Sequence, residues 1–338
     1  MTRFLDEVDS QPAALLELAG FYRAAGAPLL KEWEKLLGRH SSLAFIGMGT
    51  SELAACLVLD ALASLGKSVT IHDAGEYLHY LLEYSSRDRL YVLISQSGAS
   101  AETDKVCRAL AGVAPRVVLA NEEKSPMALA ADLFLPLKAG AERSISNKTY
   151  LNTLALLYLL AGGGLDKLEA VAGYLGHSCS EKEVSAAAEF LRPAESIHFI
   201  ARGPALAAAR QMALTFMEGA KCHGTAFAAG AFRHGPFEVL GENHRAVCLA
   251  PQGKTSALTL AMAREMASRG SRVVLLTDLE EIPEEDNLCV IRVKSFGEER
   301  LFPLALVVLQ GHLLHHVAAL RGYEAGVFRV VSKVTTVE

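Results

Sequence analysis

Short apolar runs alternate with amphipathic stretches along almost the whole chain. Leu43 to Gly47, residues 90–95, Arg116 to Ala120 and Leu133 to Leu137 are mostly apolar runs of strand length, and Ser68 to His72 is a further strand-length segment. Such texture marks strands buried on both faces. Helical stretches are predicted at 52–65 and 101–113 between them. Residues 11–38 predict a helix ahead of the first strand, with Leu15, Leu16, Leu18, Phe21 and Tyr22 on one stripe. A long apolar helix, Lys148 to Leu160, closes this half, and Gly162-Gly163-Gly164 stops it.

The pattern then restarts. A helical connector over about 165–193 ends at Arg192-Pro193, and strand Ile197 to Ala201 runs into a helix over 205–221. Further strands are expected at Arg245 to Ala250, Arg272 to Thr277 and Leu288 to Val293, with helices at 256–269 and about 302–320. Phe45-Ile-Gly-Met-Gly49 is echoed by Phe199-Ile-Ala-Arg-Gly203. The expected fold class is α/β: two tandem doubly wound, flavodoxin-like parallel-sheet domains with helices on both faces. The expected divisions are an N-terminal helical segment (1–40), a first domain (41–165), a connector (166–193), a second domain (194–325) and a tail (326–338).

Composition narrows the partners. The chain has 338 residues, half of them apolar, and a formal net charge of −5. That balance argues against nucleic acid or an anionic membrane surface. No apolar run reaches the roughly 18 residues of a membrane span, and the acidic start lacks the apolar core of a signal peptide. The six cysteines form no CxxC pair, as in a reducing cytoplasm. No metal or cofactor is expected: HExxH-like spacing is absent, and His312, His315 and His316 read as a solvated or interface stripe on a helix.

The chemistry concentrates after the strand at 90–95. Ser95-Gln96-Ser97-Gly98-Ala99-Ser100 sets hydroxyls around one glycine in a strand-to-helix turn. Main-chain N–H groups and the helix dipole attract an anion there. The turn has no lysine, so it is not a nucleotide P-loop, and neutral donors suit a phosphate monoester. A second turn, Gly47-Met48-Gly49-Thr50-Ser51, follows the first strand. The corresponding turn in the second half, Pro251-Gln252-Gly253-Lys254-Thr255, has lost the serine cluster.

Two residues in the second half carry acid–base potential. Glu218 interrupts an apolar, Ala-rich helix, either as a solvated charge or as a site carboxylate. His234 stands before Gly235-Pro236 on a constrained turn, either as a helix-end histidine or as an acid–base group. The tail Ser332-Lys333-Val334-Thr335-Thr336-Val337-Glu338 is β-rich, and Lys333 is either a surface lysine or an amine delivered to a site.

Together these motifs resemble the tandem sugar-isomerase (SIS) domain family over residues 40–338. The likeness is greatest to the isomerase half of the glucosamine-6-phosphate synthases and to stand-alone SIS-type deaminases. Gly49-Thr50-Ser51 is similar to that family's first phosphate-side turn. Ser95-Gln96-Ser97-Gly98 is similar to its SQSG loop, with Ser100 where the synthases have threonine. Ser146, in Ser144-Ile-Ser-Asn-Lys148, is similar to a serine that touches the sugar. Glu218 falls on the catalytic glutamate, and His234, sixteen residues on, falls on the histidine of KHGP, here Arg-His-Gly-Pro. Ser332-Lys333 resembles the tail whose lysine engages the open-chain ketose.

The departures shape the expected activity. Thr215 stands where the synthases carry a lysine three residues before the glutamate. Phe328-Arg329-Val330-Val331 replaces their Pro-Arg-x-Leu. The sequence begins Met-Thr-Arg without a glutaminase domain, so no internal ammonia source is expected. The resemblance implies a cytoplasmic homodimer with a shared active site and a small phosphosugar as its partner. Gly49, Thr50, Ser51, Ser95, Gln96, Ser97, Ser100, Ser146 and Ser332 are the expected binding residues, and Glu218, His234 and Lys333 the catalytic ones. The leading expectation is conversion of an aminosugar 6-phosphate to fructose 6-phosphate and ammonia by C1–C2 proton transfer. The alternatives are an aldose–ketose isomerase for another 6-anionic sugar, a 6-phosphofructosyl-amino-acid deglycase, and a non-catalytic sugar-phosphate sensor.

Overall fold

A computed structural model describes residues 2–178 and 180–330. In chain order the first elements are α1 (Arg3–Asp9), α2 (Gln11–Arg23), α3 (Ala27–Arg39), β1 (Ser42–Gly47), α4 (Thr50–Ala54), α5 (Leu59–Ser64), β2 (Ser68–Asp73), α6 (Ala74–Glu76), β3 (Arg89–Ile94), α7 (Ala101–Ala109), β4 (Arg116–Ala120), α8 (Pro126–Ala130), β5 (Leu133–Pro136) and α9 (Lys148–Leu160). The next are α10 (Leu165–Leu175), α11 (Glu181–Phe190), β6 (Ser196–Ala201), α12 (Leu206–Ala220), β7 (His223–Ala228), α13 (Ala229–Phe232) and β8 (Arg245–Ala250). The last are α14 (Ser256–Ser268), β9 (Arg272–Thr277), β10 (Leu288–Arg292), α15 (Phe302–Ala305) and α16 (Val307–Leu320).

The described chain forms two compact units, residues 13–169 with 329–330 and residues 2–12 with 170–328. Each holds one five-stranded, all-parallel sheet. The first has order β2-β1-β3-β4-β5 and the second β10-β9-β8-β6-β7. Counted from the first strand of each unit these are the same order, so the duplication read from the sequence is a duplication of topology. The apolar runs occupy the inner strands: β3, β4 and β8 are buried along almost their whole length. In α9 every residue from Thr149 to Leu160 is buried.

Several boundaries depart from the sequence reading. The helix expected at 11–38 is two helices, α2 and α3, broken around Gly26, where a Cβ would sit 2.5 Å from the Phe21 ring. The helix expected at 52–65 is divided by a 3-10 turn over Ala55–Val58. The connector is two helices, and the last helix breaks between α15 and α16. Strand β7, His223-Gly-Thr-Ala-Phe-Ala228, is a strand where none was expected. It is a half-exposed edge strand pairing with β6 from Ser196↔His223 to Ala201↔Ala228. A Cβ on Gly224 would fall 2.3 Å from the Ala213 carbonyl oxygen, so the glycine lets α12 pass directly over β7.

The histidine trio sits within the second unit. His312 Nε2 lies 2.9 Å from Asp9 Oδ1 on α1, and His316 Nε2 lies 2.9 Å from Glu181 Oε1 on α11. These side chains therefore face neighbouring helices. Among the described residues no group of histidine, cysteine and carboxylate side chains is arranged to hold a metal. No single described helix is long and apolar enough to cross a membrane.

A second histidine pair is built into the second sheet. His198 Nδ1 lies 2.9 Å from His244 Nε2, among the rings of Phe227 and Phe232. Burial, then the neighbouring His198 and Arg245, pushes the His244 imidazole down to about 4, and burial lowers His198 as well. Below pH 6.5 the unfolded chain binds protons that the folded pair refuses, so stability is complete above that pH and falls toward pH 4. The expected loss from this pair is about 2 kcal/mol between pH 7 and pH 5. Denaturant melts at the two pH values check it: His244→Phe should lose less stability on acidification than the parent. An equal loss in both chains would assign the acid sensitivity to other groups.

Candidate functional site

The first sheet changes winding direction at the neighbours β1 and β3, and in open α/β sheets the crevice beyond the carboxyl ends of the strands at that point is where ligands bind. Gly47 ends β1 directly beside Ile94, the last residue of β3. The two turns singled out in the sequence, 48–51 and 95–100, therefore leave the sheet side by side.

The second of these turns is tightly constructed. Ser95 is 1 % exposed. Its Oγ accepts a bond from Gly98 N at 3.1 Å and lies 2.9 Å from Ser100 Oγ. Ser97 Oγ accepts from Ala99 N at 3.2 Å. Gly98 takes φ +60°, and a Cβ there would fall 2.0 Å from Ser125 Oγ. Both facts demand glycine. Ser125 is held in turn as the cap of α8, accepting from Ala128 N. The N–H groups of Gln96, Ser97 and Ser100 have no hydrogen-bond partner among the described residues. They precede the first turn of α7, whose cap position, Ser100, makes no side-chain cap bond. Unpaired N–H groups at a helix start form an anion site.

In the first turn, Gly49 has φ +50°, and Ser51 N donates to the Met48 carbonyl at 3.1 Å. Thr50 and Ser51 are the first residues of α4 and are partly exposed. On the edge strand next to β1, burial and then Arg89 lower the His72 imidazole, which favours its neutral form.

Ser146 belongs to the loop that starts α9. A buried carboxylate, Glu142, shapes this loop: it accepts from Asn147 N and Thr149 N, each at 3.0 Å, and from Thr149 Oγ1 at 2.7 Å. Ser146 Oγ lies 3.2 Å from Thr149 Oγ1. Asn121 follows β4 and ties the same edge together. Its N–H donates to the Gln96 carbonyl, and its side chain bonds Ala139 N and the Gly140 carbonyl. Glu142, Asn121 and Ser125 were not singled out in the sequence. The readable signal was a carboxylate a few residues ahead of an Asn-capped helix.

The equivalent edge of the second sheet is unsuited to an anion. Gln252 N donates to Asp278 Oδ1 at 2.6 Å, and a Cβ on Gly253 would fall 1.8 Å from Glu299 Oε1. Two carboxylates occupy the ground that serine hydroxyls hold in the first sheet.

Glu218 lies half-buried in the last turn of α12. The helix ends on Lys221 in the left-handed conformation, φ +53°, with Lys221 N donating to the Phe216 carbonyl. Burial pushes the following thiol, Cys222, up to about 11, which keeps it protonated. Thr215 is buried, donating to the Gln211 carbonyl at 2.9 Å. His234 is exposed on the turn after α13, its N–H bonded to the Ala231 carbonyl at 3.0 Å.

Glu218 and His234 are not brought together within their unit. Phe199 of β6 packs on Phe216 of α12, with centroids 5.0 Å apart, while its neighbour His198 packs on Phe232 of α13 at 5.4 Å. Successive side chains of a strand point to opposite faces. Hence α12 with Glu218 and the segment leading to His234 flank opposite faces of the second sheet. Ser332 and Lys333 lie outside the described residues.

Comparison with known proteins agrees with this architecture. The chain is 30% identical over 289 residues to the glutamine–fructose-6-phosphate aminotransferase of Zymomonas mobilis, covering 80% of this chain and 47% of that one. It is 28% identical over 356 residues to the enzyme of the same name from Thermococcus kodakarensis, covering 99% of this chain and 58% of that one. The chain thus spans about half the length of the curated relatives it matches. Among solved structures, the C-terminal domain of glucosamine-fructose-6-phosphate aminotransferase from Francisella tularensis superposes with a TM-score of 0.86 at 20% identity, covering 96% of this chain and 98% of that one. Glucosamine-6-phosphate deaminase from Thermotoga maritima does so at 0.76 and 18%, covering 98% and 99%. The SIS domain pattern matches residues 36–162 and again 190–313, one match on each parallel sheet, and the chain therefore belongs to the SIS domain family.

Proposed function

We propose that this protein is a phosphosugar isomerase of the aminosugar-deaminating kind, converting glucosamine 6-phosphate to fructose 6-phosphate and ammonia. The observation that carries the reading is the 95–100 turn, whose N–H groups at Gln96, Ser97 and Ser100 stand without partners around a glycine-dependent bend. Such a turn suits the phosphate, with Ser51, Thr50 and Gly49 beside it and Ser95 as the internal brace. Ser146 takes a sugar hydroxyl, and Ser332 accompanies the tail.

In the proposed reaction the phosphate contacts fix one end of the substrate and orient the other. His234 moves a proton at the ring oxygen, opening the ring to the C1 aldehyde. Glu218 removes the C2 proton, giving an enolamine, and returns a proton to C1, leaving an imine at C2. Water adds at C2, the C–N bond breaks, and ammonia leaves with its proton. Lys333 holds the C2 carbonyl or imine. No cofactor enters this scheme, because each step is a proton transfer, a hydration or the departure of ammonia.

The placement of Glu218 and His234 on opposite faces of one sheet supports a homodimer in which His234 serves the partner's site. The relatives named for aminotransferase and deaminase activity support the aminosugar over a plain aldose. The presence of Glu218, His234 and Lys333 together in the sequence favours an enzyme over a sensor.

Ammonia and ketose assays with purified protein and glucosamine 6-phosphate test the reading. Both products should form in equal amounts, and Glu218→Gln should lower kcat by about a thousandfold with folding intact. Isomerisation of glucose 6-phosphate without ammonia would move the assignment to an aldose–ketose isomerase. Silence with both sugars would reject the proposal.

Mixing Glu218→Gln chains with His234→Ala chains tests the shared site. A mixed dimer should regain up to about a quarter of the parental activity, since a random mixture places one intact pair in half of the dimers. No recovery in demonstrated heterodimers would place both groups in one chain's site.

Gly98→Ala introduces a side chain against Ser125 in a left-handed conformation. The KM for the phosphosugar should rise by about tenfold or more as the turn is pushed off its geometry, while inhibition by inorganic phosphate weakens in parallel. An unchanged KM would remove this turn from the phosphate site.

A further inference from the structure

The loop that opens α9 contains a short chain of hydroxyls whose direction is fixed by counting protons. Glu142 and Thr149 are buried, and Ser146 is partly exposed. Glu142 Oε1 accepts from Asn147 N and Thr149 N, each at 3.0 Å, and its Oε2 accepts from Thr149 Oγ1 at 2.7 Å. In all three bonds Glu142 is the acceptor, the only role open to an ionised carboxylate. A hydroxyl carries one proton, and that of Thr149 is committed to Oε2.

Ser146 Oγ lies 3.2 Å from Thr149 Oγ1, and in an isolated pair either oxygen could donate. Thr149 has no second proton to give, so Ser146 is the donor. Among the described residues Ser146 Oγ has no other hydrogen-bond partner. Its proton is therefore turned inward, towards Thr149, and it presents a lone pair outward. Thr153 does not compete for Thr149 Oγ1, because its hydroxyl donates to the Thr149 main-chain carbonyl at 2.7 Å. The bonds run in one direction, from Ser146 to Thr149 to the carboxylate, and each polarises the next.

We propose that Glu142 and Thr149 are positioning residues that set Ser146 as a hydrogen-bond acceptor, so that this subsite selects a sugar position bearing an O–H or N–H donor. The inference rests on the reading of Ser146 as a contact to the sugar. A hydroxyl or an ammonium at that position meets a lone pair and is bound. A carbonyl oxygen, an oxyanion or a methylated oxygen meets the same lone pair with nothing to donate and is rejected, because the buried carboxylate behind Thr149 keeps the Ser146 proton inward. Glu142 does not act on the sugar itself; it acts through Thr149. All three residues belong to the unit that also carries the 95–100 turn.

Deuteron positions test the direction without reference to activity. In a neutron-diffraction map of the deuterated protein, the Thr149 deuteron should point to Glu142 Oε2 and the Ser146 deuteron to Thr149 Oγ1. In Glu142→Gln the two main-chain N–H groups retain the amide oxygen, so the amide NH2 faces Thr149 and the chain of bonds reverses. Thr149→Val removes the link altogether. Calorimetric binding of glucose 6-phosphate and its monodeoxyfluoro analogues at C1, C2, C3 and C4 reads the consequence, since fluorine cannot donate. At one position fluorine should weaken parental binding about tenfold, and Ser146→Ala, which identifies that position, should remove most of the penalty. The penalty there should shrink to about twofold in Glu142→Gln and in Thr149→Val, and persist in Thr149→Ser, which keeps the hydroxyl. A Ser146 deuteron pointing away from Thr149 in the parent would overturn the proposal, as would parental penalties in Ser146→Ala or in both folded link variants. If the parent binds none of these sugars, the phosphosugar reading itself falls, and the deuteron positions still decide whether Glu142 and Thr149 hold Ser146 as an acceptor.

Discussion

One steric constraint underlies the first half of the molecule: at residue 98 there is no room for a side chain. The turn after β3 must reverse within a few residues beside Ser125, and Gly98 does this at φ +60°. The bend brings Gly98 N back to Ser95 Oγ and Ser95 Oγ to Ser100 Oγ, so the serines brace the turn from inside. The N–H groups of Gln96, Ser97 and Ser100 are left outside that brace, at the edge where β1 and β3 end together. Hydroxyl-rich sequence is thus only part of an anion site. The serine that the sequence makes most conspicuous, Ser95, is buried, and much of its contribution is to hold main-chain donors in place.

The second half repeats the strand order and not the chemistry. Its equivalent edge places Asp278 on Gln252 N and Glu299 against Gly253, two carboxylates where an anion would otherwise sit. Duplicating a parallel sheet duplicates its crevice, whereas occupancy of the crevice is decided by a few side chains. Relieved of that task, the second sheet presents functional candidates elsewhere: Glu218 at the far end of α12, and His234 beyond the opposite face. Their separation by the sheet follows from the alternation of Phe199 and His198 along β6. The proposed chemistry uses both groups, and in that proposal the homodimer is what brings them together.

What was legible in the sequence follows burial. Strands β3, β4 and β8 are shielded on both faces, so they read as unbroken apolar runs that spacing alone identifies. Strand β7 lies at an edge with half of its residues exposed and a glycine required by the approach of α12, and its sequence carries no such run. The helix breaks at Gly26 and between α15 and α16 were hidden because an apolar stripe continues across each. At the candidate site the serine turns stand out as motifs, Glu218 as a carboxylate in an apolar helix and His234 as a histidine before Gly-Pro, while the roles expected of them came from the family resemblance. Glu142 was not, because a buried carboxylate bonded to Asn147 N and Thr149 N looks in sequence like any charged loop residue. The reciprocal fit of Gly98 and Ser125, twenty-seven residues apart, has no local signature at all.

Thr215 stands three residues before Glu218 on α12. Thr215 is buried, its hydroxyl donates to the Gln211 carbonyl, and the Gln310 amide approaches it at 3.5 Å. An ammonium in that place would lose its hydration among neutral groups, a cost of several kcal/mol without a paired anion. The nearest turn of α12 on that side is therefore uncharged. The cation that the sequence does supply next to Glu218 is Lys221, three residues on, and its Nζ binds the Glu218 carbonyl.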